Sequence, residues 1–479
     1  MRILRFLGKA LLALVVLALV GWVVFNQVMR WQTQKVLAQQ ASEIAAHREA
    51  QRAAPAGTPA AASTSTPPVT PSVPPSDTPS ANAAAASVPD APAAIPWTTG
   101  WSGFRGAKRD GRYSAGPIRT DWETLRPLWK QPIGGGYASF VGANGHAFTI
   151  EQRGPQEVAV AYDILTGREL WTNAWDATFI ENQGGPGPRA TPAFADGTLF
   201  VLGATGELRA LDASSGKVRW RTNILDDAGA GNLSFGVAAS PLIVGNTVVT
   251  VPGGGDGKTV VAYNRATGRV AWSALDDDGA YSSPVRMTLG GVEQIVIFLA
   301  SRVVGLSPDR GALLWEHQWP STGGNNAAQP VVISDNRVFV SADDSGALIE
   351  IARDGDRMTA REVWRTSRMK NGFSSSVHHD GFIYGIDQGI LACIDAATGD
   401  PKWKGGRYGN GQTILASGHL VITTGDGEVV LIRATPVGHQ EVARTSALEG
   451  STWNHPALVD GFLLVRNGAQ MAAFDLRPR

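Results

Sequence analysis

The chain has 479 residues, with 42 basic and 42 acidic side chains and so no formal net charge. That balance provides no basic stripe for nucleic acid. The only cysteine, Cys393, excludes an internal disulfide and a cysteine-based zinc site, and in the run GILACID it reads as a small core residue.

Residues 1–9 carry Arg2, Arg5 and Lys9, and residues 10–25 are apolar without a break. With the milder residues 26–29 the run is long enough to span a bilayer as a helix. More basic charge precedes it than follows it, so residues 1–9 are expected on the cytoplasmic side. No small-x-small site follows FNQVMRW, which favours an uncleaved signal-anchor helix over 10–29 rather than a cleaved signal peptide. Residues 30–96 form an Ala/Pro-rich linker. Its start, 31–54, is rich in Gln, Ala and Glu and can extend the helix by a few turns; the rest is Ala, Pro, Ser and Thr. Such a composition cannot offset the entropy of ordering and predicts a disordered tether.

The folded domain is predicted over 97–479. Its lead-in, WSGFRGAKRDGRYS (101–114), mixes aromatic, Gly and basic residues and reads as a segment packed on one face of the repeated domain, or as a basic lip over a pocket. From Trp129 onward a pattern repeats. A small polar residue is followed four residues later by Gly and four after that by Trp: Asp163/Gly167/Trp171, Asp212/Gly216/Trp220, Asn264/Gly268/Trp272, Ser307/Gly311/Trp315 and Asp395/Gly399/Trp403. The polar residue caps a tight turn, Gly supplies a positive φ, and the ring on the return strand wedges between sheets. A second marker, a strand opening such as YASF, RATP, AASP, SSPV, AAQP, SSSV, TILA or NHPA, occurs eight times. A spacing of about 40–50 residues suits four short strands per unit. The fifth unit has a longer hairpin reaching Trp364, the seventh has Ala443 at the Trp position, and the eighth ends after its third strand. LRPLWKQP, with Trp129, is an unpaired strand ahead of the first unit. Pairing it with the last unit closes the ring and leaves no exposed edge.

These turns resemble the tryptophan-docking motif of the pyrroloquinoline-quinone (PQQ) repeat superfamily, and FRGAKRDG (104–111) resembles the opening of a large bacterial group of such proteins. The resemblance implies an all-β, eight-bladed β-propeller. It also implies one of two kinds of activity: PQQ- and calcium-dependent oxidation of alcohols or sugars, or quinone-free protein binding, as in the BamB-type subunit of outer-membrane assembly. The adjacent-cysteine disulfide of the alcohol-oxidising branch cannot form here, and there is no CxxCH haem site, P-loop or HExxH. Asp226–Asp227, Asp276–Asp278 and Asp343–Asp344 read as solvated loops rather than a calcium site. No catalytic residue, metal site or cofactor is therefore expected. PQQ and calcium belong only to the alternative reading.

Loops before the inner strands of a propeller converge at one mouth of its channel, the default binding site. They contain Arg189, Asn232, Tyr281, Asn325, Asn326, Asn371, Gln412, Trp453 and Asn454; His455, which opens the eighth unit, reads as structural polarity, with a position facing the channel as the alternative. The expectation is a single-pass protein of the bacterial inner membrane with its propeller in the periplasm. It acts as a non-catalytic scaffold for envelope or membrane proteins, envelope assembly being one such task. The alternatives are a PQQ-dependent dehydrogenase and a small-molecule sensor.

Overall fold

The computed structural model describes residues 2–53, 97–320 and 323–478; the side chains of residues 2–19, 23, 26, 29 and 30 fall outside that description. Eight antiparallel sheets, each built around four strands, form the blades of a propeller. Blade 1 runs from strand Val141–Ala143 to Glu169–Asp176, and blades 2 to 7 follow in chain order, ending with Glu441–Ser446. Blade 7 gains a fifth strand, Arg112–Tyr113, parallel to Gln412–Ala416.

Blade 8 is assembled from both ends of the domain. Its inner three strands span Ala457–Val459, Phe462–Arg466 and Gln470–Asp475, and its outer strand is Trp129–Pro132, with Trp129 opposite Ala473. The closure argued from the unpaired LRPLWKQP segment is therefore the one observed. Outer strands alternate more and less exposed residues, while the second and third strands of each blade are buried almost throughout. This is the pattern of sheets stacked face to face around an axis.

The repeated turn works between blades. Asp212 Oδ1 accepts from the Ser214 and Ser215 amides, and Gly216 follows at φ 70°. On the return strand, Trp220 Nε1 donates to the Arg265 carbonyl in the turn of the next blade at 2.7 Å. The same bond runs from Trp171 to Ala213, from Trp364 to Ala396, from Trp403 to Thr435, and across the closing seam from Trp129 to Ile164. Each ring that meets an Asp-Gly turn lies over that turn's glycine. A Cβ on Gly268 would stand 2.7 Å from Trp220 Cδ2, and one on Gly167 2.7 Å from Trp129 Cδ2. Trp272 covers Gly311 in the same way, but its indole N–H finds no acceptor among the described residues.

Gly399 follows the same rule: like Gly167, Gly216, Gly268 and Gly311 it lies under the ring of the preceding blade, here Trp364, whose Cε3 would lie 2.7 Å from an added Cβ. Gly399 lies in the turn between strands Ile390–Asp395 and Pro401–Arg407, at φ 77°. It thus receives the irregular fifth unit, while Trp403 docks on blade 7 at Thr435, where no Asp-x3-Gly turn is present. The docking unit is therefore one blade's glycine with the previous blade's ring. Trp315 departs further. Its indole N–H turns back onto Gln294 of its own blade. The long hairpin of blade 5, Gly346–Asp354 with Arg357–Thr366, offers no Asp-x3-Gly turn to receive it. In blade 7, Ala443 stands where the ring would be and lies against the cluster that holds the buried Trp122, between the lead-in and the closing strand.

Two segments also differ from expectation. A single helix, Arg2–Ala53, runs through the region assigned to the anchor and on through the first part of the expected linker. Its last turns are docked, with Leu37, Ile44 and Arg48 buried. Gln40 donates to the carbonyls of Ile133 and Gly468, and Arg48 bonds Gln131 at 2.8 Å and the Pro132 carbonyl and lies 3.4 Å from Glu169. The helix thus straddles the seam where blade 8 meets blade 1. Residues 30–53 are consequently a structural element rather than tether. The remaining linker, 54–96, lies outside the described residues. Among the described residues no helix is long and apolar enough to cross a membrane, and the side chains of residues 10–19 are outside that set.

The lead-in does more than cover a face: it reaches across the channel to blades 1 to 4, 6 and 7, with a cavity of about 970 Å³ on its far side. Trp101 bridges Gly142 of blade 1, and Ser102 accepts from Phe194 N of blade 2. Arg109 donates to the carbonyls of Ser240, Pro241 and Pro284 in blades 3 and 4. Arg105 donates to Ser376 of blade 6, and Gly111 accepts from Leu415 N of blade 7. Arg105 and Arg109 sit at φ 62° and 57°, left-handed positions unusual for side-chain-bearing residues, held by these bonds.

Candidate functional site

In blades 1, 2, 3 and 5 the inner strand begins with the same structural step. The residue at its head lies beside its counterpart in the next blade: Ser139 N donates to Thr191 Oγ1, Thr191 N to Ser240 Oγ, and Ser240 N to Ser283 Oγ, all at 2.9 Å. Gln329 N donates to Ser375 Oγ, and Ser139 Oγ donates to the His455 carbonyl across the seam. This collar fixes the residue two places earlier in those blades at the channel mouth, where the equivalents from the other blades join it. Those residues are Tyr137, Arg189, Ala238, Tyr281, Ala327, Phe373, Gly411 and Trp453.

The mouth encloses a cavity of about 180 Å³. Its walls are mainly aromatic. Trp453 is stacked between Tyr137 and Phe373, with centroids at 5.8 and 6.1 Å, and Phe235 leans on Tyr281 at 5.4 Å. Its floor is His455, which meets the edge of Phe104 from the plug at 4.8 Å. Burial, with Arg105 nearby, holds His455 well below the usual imidazole range, so it is neutral. Neither ring nitrogen has a protein partner, nor does Gln412 Oε1.

Arg189 and Glu181 are the charged residues at the mouth. Burial lowers the arginine's pKa, opposed by Glu181. Its guanidinium donates to the carbonyls of Phe235, Gly185 and Gly187 and to Glu181 at 3.1 Å, and stacks over Phe179 at 4.7 Å. Glu181 also accepts from the Gln183 and Gly184 amides. The pair organises the small hairpin Ile180–Glu181/Gly185–Pro186 and leaves neither charge free.

Of the nine mouth residues expected from sequence, Arg189, Tyr281, Asn325, Gln412 and Trp453 line the cavity. The other four face elsewhere. Asn326 is buried, with its amide on the Leu299 and Ala300 carbonyls, and Asn454 bonds Gly136 and Ala138. Asn232 bonds the Ala204 carbonyl, and Asn371 links Ile386 to Ser376 beside a neighbouring cavity. These amides satisfy loop backbone. Sequence reasoning missed Tyr137, Phe373 and Phe235. Aligning YASF, RATP, YSSP, FSSS and WNHP on the collar residue would have exposed the first two; Phe235 comes from an irregular loop and carries no such register.

PQQ with calcium does not fit these residues. The cavity offers one carboxylate, Glu181, already engaged, and the channel beneath is occupied by Phe104, Arg105 and Arg109. Among the described residues no three His, Cys, Asp or Glu side chains gather to hold a metal.

Comparison with known proteins agrees with the geometry. The chain is 24% identical over 312 residues to the outer membrane protein assembly factor BamB of Yersinia pestis, covering 61% of this chain and 75% of that protein. Its fold matches the crystal structure of BamB from Moraxella catarrhalis with a TM-score of 0.52 at 14% identity, over 74% of this chain and 98% of that one. It also matches the quinohemoprotein alcohol dehydrogenase of Comamonas testosteroni with a TM-score of 0.58 at 14% identity, over 81% and 82%. At such identities both solved structures speak only to the shared propeller. The family described as outer membrane protein assembly factor BamB matches residues 154–405, more than half of the chain, and the protein belongs to that PQQ-like propeller family.

Proposed function

We propose that the protein is a non-catalytic scaffold of the bacterial envelope, anchored in the inner membrane by residues 10–29 and holding its propeller in the periplasm to bind other envelope proteins. The observation that carries this reading is the channel. The plug crosses it, and the opening at one end is an aromatic mouth whose two charges are paired with each other. The far side of the plug holds a larger cavity of about 970 Å³ bordered by Lys108, Arg112, Arg286 and Glu293. The aromatic mouth suits burial against a protein segment better than chemistry on a bound substrate. The relatives named as assembly factors support the same direction.

The docked helix adds an orientation. Inner strands run away from the mouth, so Gly154 and Gly468, which close hairpins after second strands, lie on the mouth face. The helix passes these turns at Gln40 and Ala41 and reaches Glu169, at the far end of the outer strand, by Arg52. Its N-terminal half therefore projects beyond the mouth face. Eight residues separate 29 from the buried Leu37, roughly 12 Å of helix. In this arrangement the mouth looks toward the bilayer.

Three measurements test the reading. A periplasm-dependent phosphatase fused after residue 100 is expected to be active, and inactivity would refute export. The full chain is expected to resist carbonate extraction from membranes, and release would refute the anchor. Purified protein given PQQ and Ca²⁺ is expected to show neither a bound-quinone spectrum nor dye-linked oxidation of alcohols or sugars. Turnover would replace the scaffold reading with the dehydrogenase one.

A further inference from the structure

We infer that the mouth cavity is a receptor for one uncharged aromatic side chain with a hydrogen-bonding tip, tyrosine or tryptophan, presented by an extended segment of a partner protein. The inference rests on the scaffold reading and names what that scaffold grips.

The walls set the body of the ligand. Tyr137, Phe235, Tyr281, Phe373 and Trp453 surround a space of about 180 Å³, which suits a planar ring that can stack or meet their edges. Phe373 is half exposed at the rim, so the ring enters from the mouth face with its backbone outside.

Charge decides against ions. A cationic ligand would need a free carboxylate, but Glu181 is held by Arg189 and two backbone amides. An anionic ligand would need a free cation, but the Arg189 guanidinium already donates to three carbonyls and Glu181. Removing a ligand's charge from water without a partner costs far more than stacking returns.

The floor sets the tip. His455 and Gln412 are both buried, and the two imidazole nitrogens and Gln412 Oε1 have no protein partner. A buried polar atom left unpaired weakens a structure, and a ligand that pairs it recovers that loss. These atoms are shielded from water, so a phenol or indole N–H that reaches the floor pairs with Gln412 Oε1 or with the acceptor nitrogen of neutral His455 once that side chain turns toward it. A phenylalanine of the same shape leaves both unpaired, and sites of this kind discriminate strongly against the analogue that lacks the polar group.

The test uses the full chain in detergent and six probes, titrated by calorimetry and ligand-observed NMR: the N-acetyl amides of tyrosine, tryptophan, phenylalanine and leucine, with tyramine and phosphotyrosine amide as the charged controls. Tyrosine or tryptophan amide is expected to bind saturably and at least tenfold more tightly than phenylalanine amide. Gln412→Ala should bring tyrosine and phenylalanine within about twofold of each other. Trp453→Ala should weaken every aromatic probe, with the near-ultraviolet dichroism of the remaining tryptophans confirming an intact propeller. Absence of saturable binding up to the solubility limit, or equal binding of phenylalanine amide, overturns the inference. So does tighter binding of tyramine or of phosphotyrosine amide. If the probes fail while mouth-directed crosslinks to envelope proteins persist, the aromatic anchor falls and the scaffold stands; if both fail, both fall.

Discussion

A turn glycine that lies under a neighbour's indole has two reasons to resist a methyl group. Gly268 is at φ 69°, and an added Cβ would meet Trp220 at 2.7 Å. Gly197 has nearly the same φ, 70°, with nothing within 4 Å of that Cβ. Gly197→Ala is expected to cost about 1 kcal/mol from backbone strain alone, and Gly268→Ala about 2–4 kcal/mol because overpacking adds to it. Urea midpoints of the two variants measure the difference, and equal losses would mean the ring does not rest on the glycine. A second residue-scale effect concerns Glu157, buried between blades 1 and 2. Burial pushes its carboxyl up to about 7 from 4.5, against the Ala204 amide and the Trp175 indole N–H that donate to it. A raised folded-state pKa gives stability that is complete below the unfolded value and lost as pH climbs through the folded one. The propeller should therefore lose stability between pH 4.5 and about 7. Glu157→Gln should flatten that slope in thermal melts, and an unchanged slope would assign it to another group. Residue roles of this kind were legible where the sequence repeats them, as in the Asp-Gly-Trp turns. Which ring covers which glycine was less so, since every covered glycine takes its ring from the preceding blade rather than from its own copy of the motif. Roles were illegible where one side chain acts once, as with Glu157 or the inward-facing Asn326, because nothing in a single copy says which way it points.

Among elements, the closing strand and the docked helix bear on the same seam. Trp129 fastens blade 8 to blade 1 through Ile164, and Arg48 reaches both blades through Gln131 and Tyr162. Around them Arg153 pairs with Glu151 and Glu169, and Arg466 donates to Ile150 and Gly134. Burial would raise the Glu151 carboxyl, but Arg153, Arg466 and Arg48 outweigh it and hold it below the ordinary range. Trp129→Ala is expected to cost about 3–5 kcal/mol and to open the ring at this seam first. Hydrogen exchange would show it as early loss of protection over 462–475, and uniform loss around the ring would contradict the seam's special role. Arg48→Glu should release the helix, and trypsin would then cut at Lys35 and Arg52 faster than in the parent chain. The strand was readable because the eighth unit lacked an outer member and one orphan strand was available. The helix's docking was not, since its buried residues Leu37, Ile44 and Arg48 are few and interrupted by polar ones. The plug was half readable: its aromatic and basic character was plain, but the carbonyls that Arg105 and Arg109 find come from blades far away in the chain.

For the whole molecule, the repeated sheets are rigid and the distinguishing chemistry sits at one mouth. The propeller class followed from eight strand openings and five fastening turns, because those signals are multiplied by the fold itself. The site did not follow so fully, because it lies in what differs between blades: five aromatic walls, a neutral imidazole and one unpaired amide oxygen. The scaffold reading puts partner contact at this mouth rather than at the opposite face. A photo-crosslinking residue at position 373, on the rim, and another at position 335, on a hairpin of the far face, test it directly in the full chain within intact envelopes. Discrete adducts are expected from 373 that disappear with Trp453→Ala, and none from 335. Adducts from 335 alone, or from both positions alike and indifferent to Trp453→Ala, would contradict it.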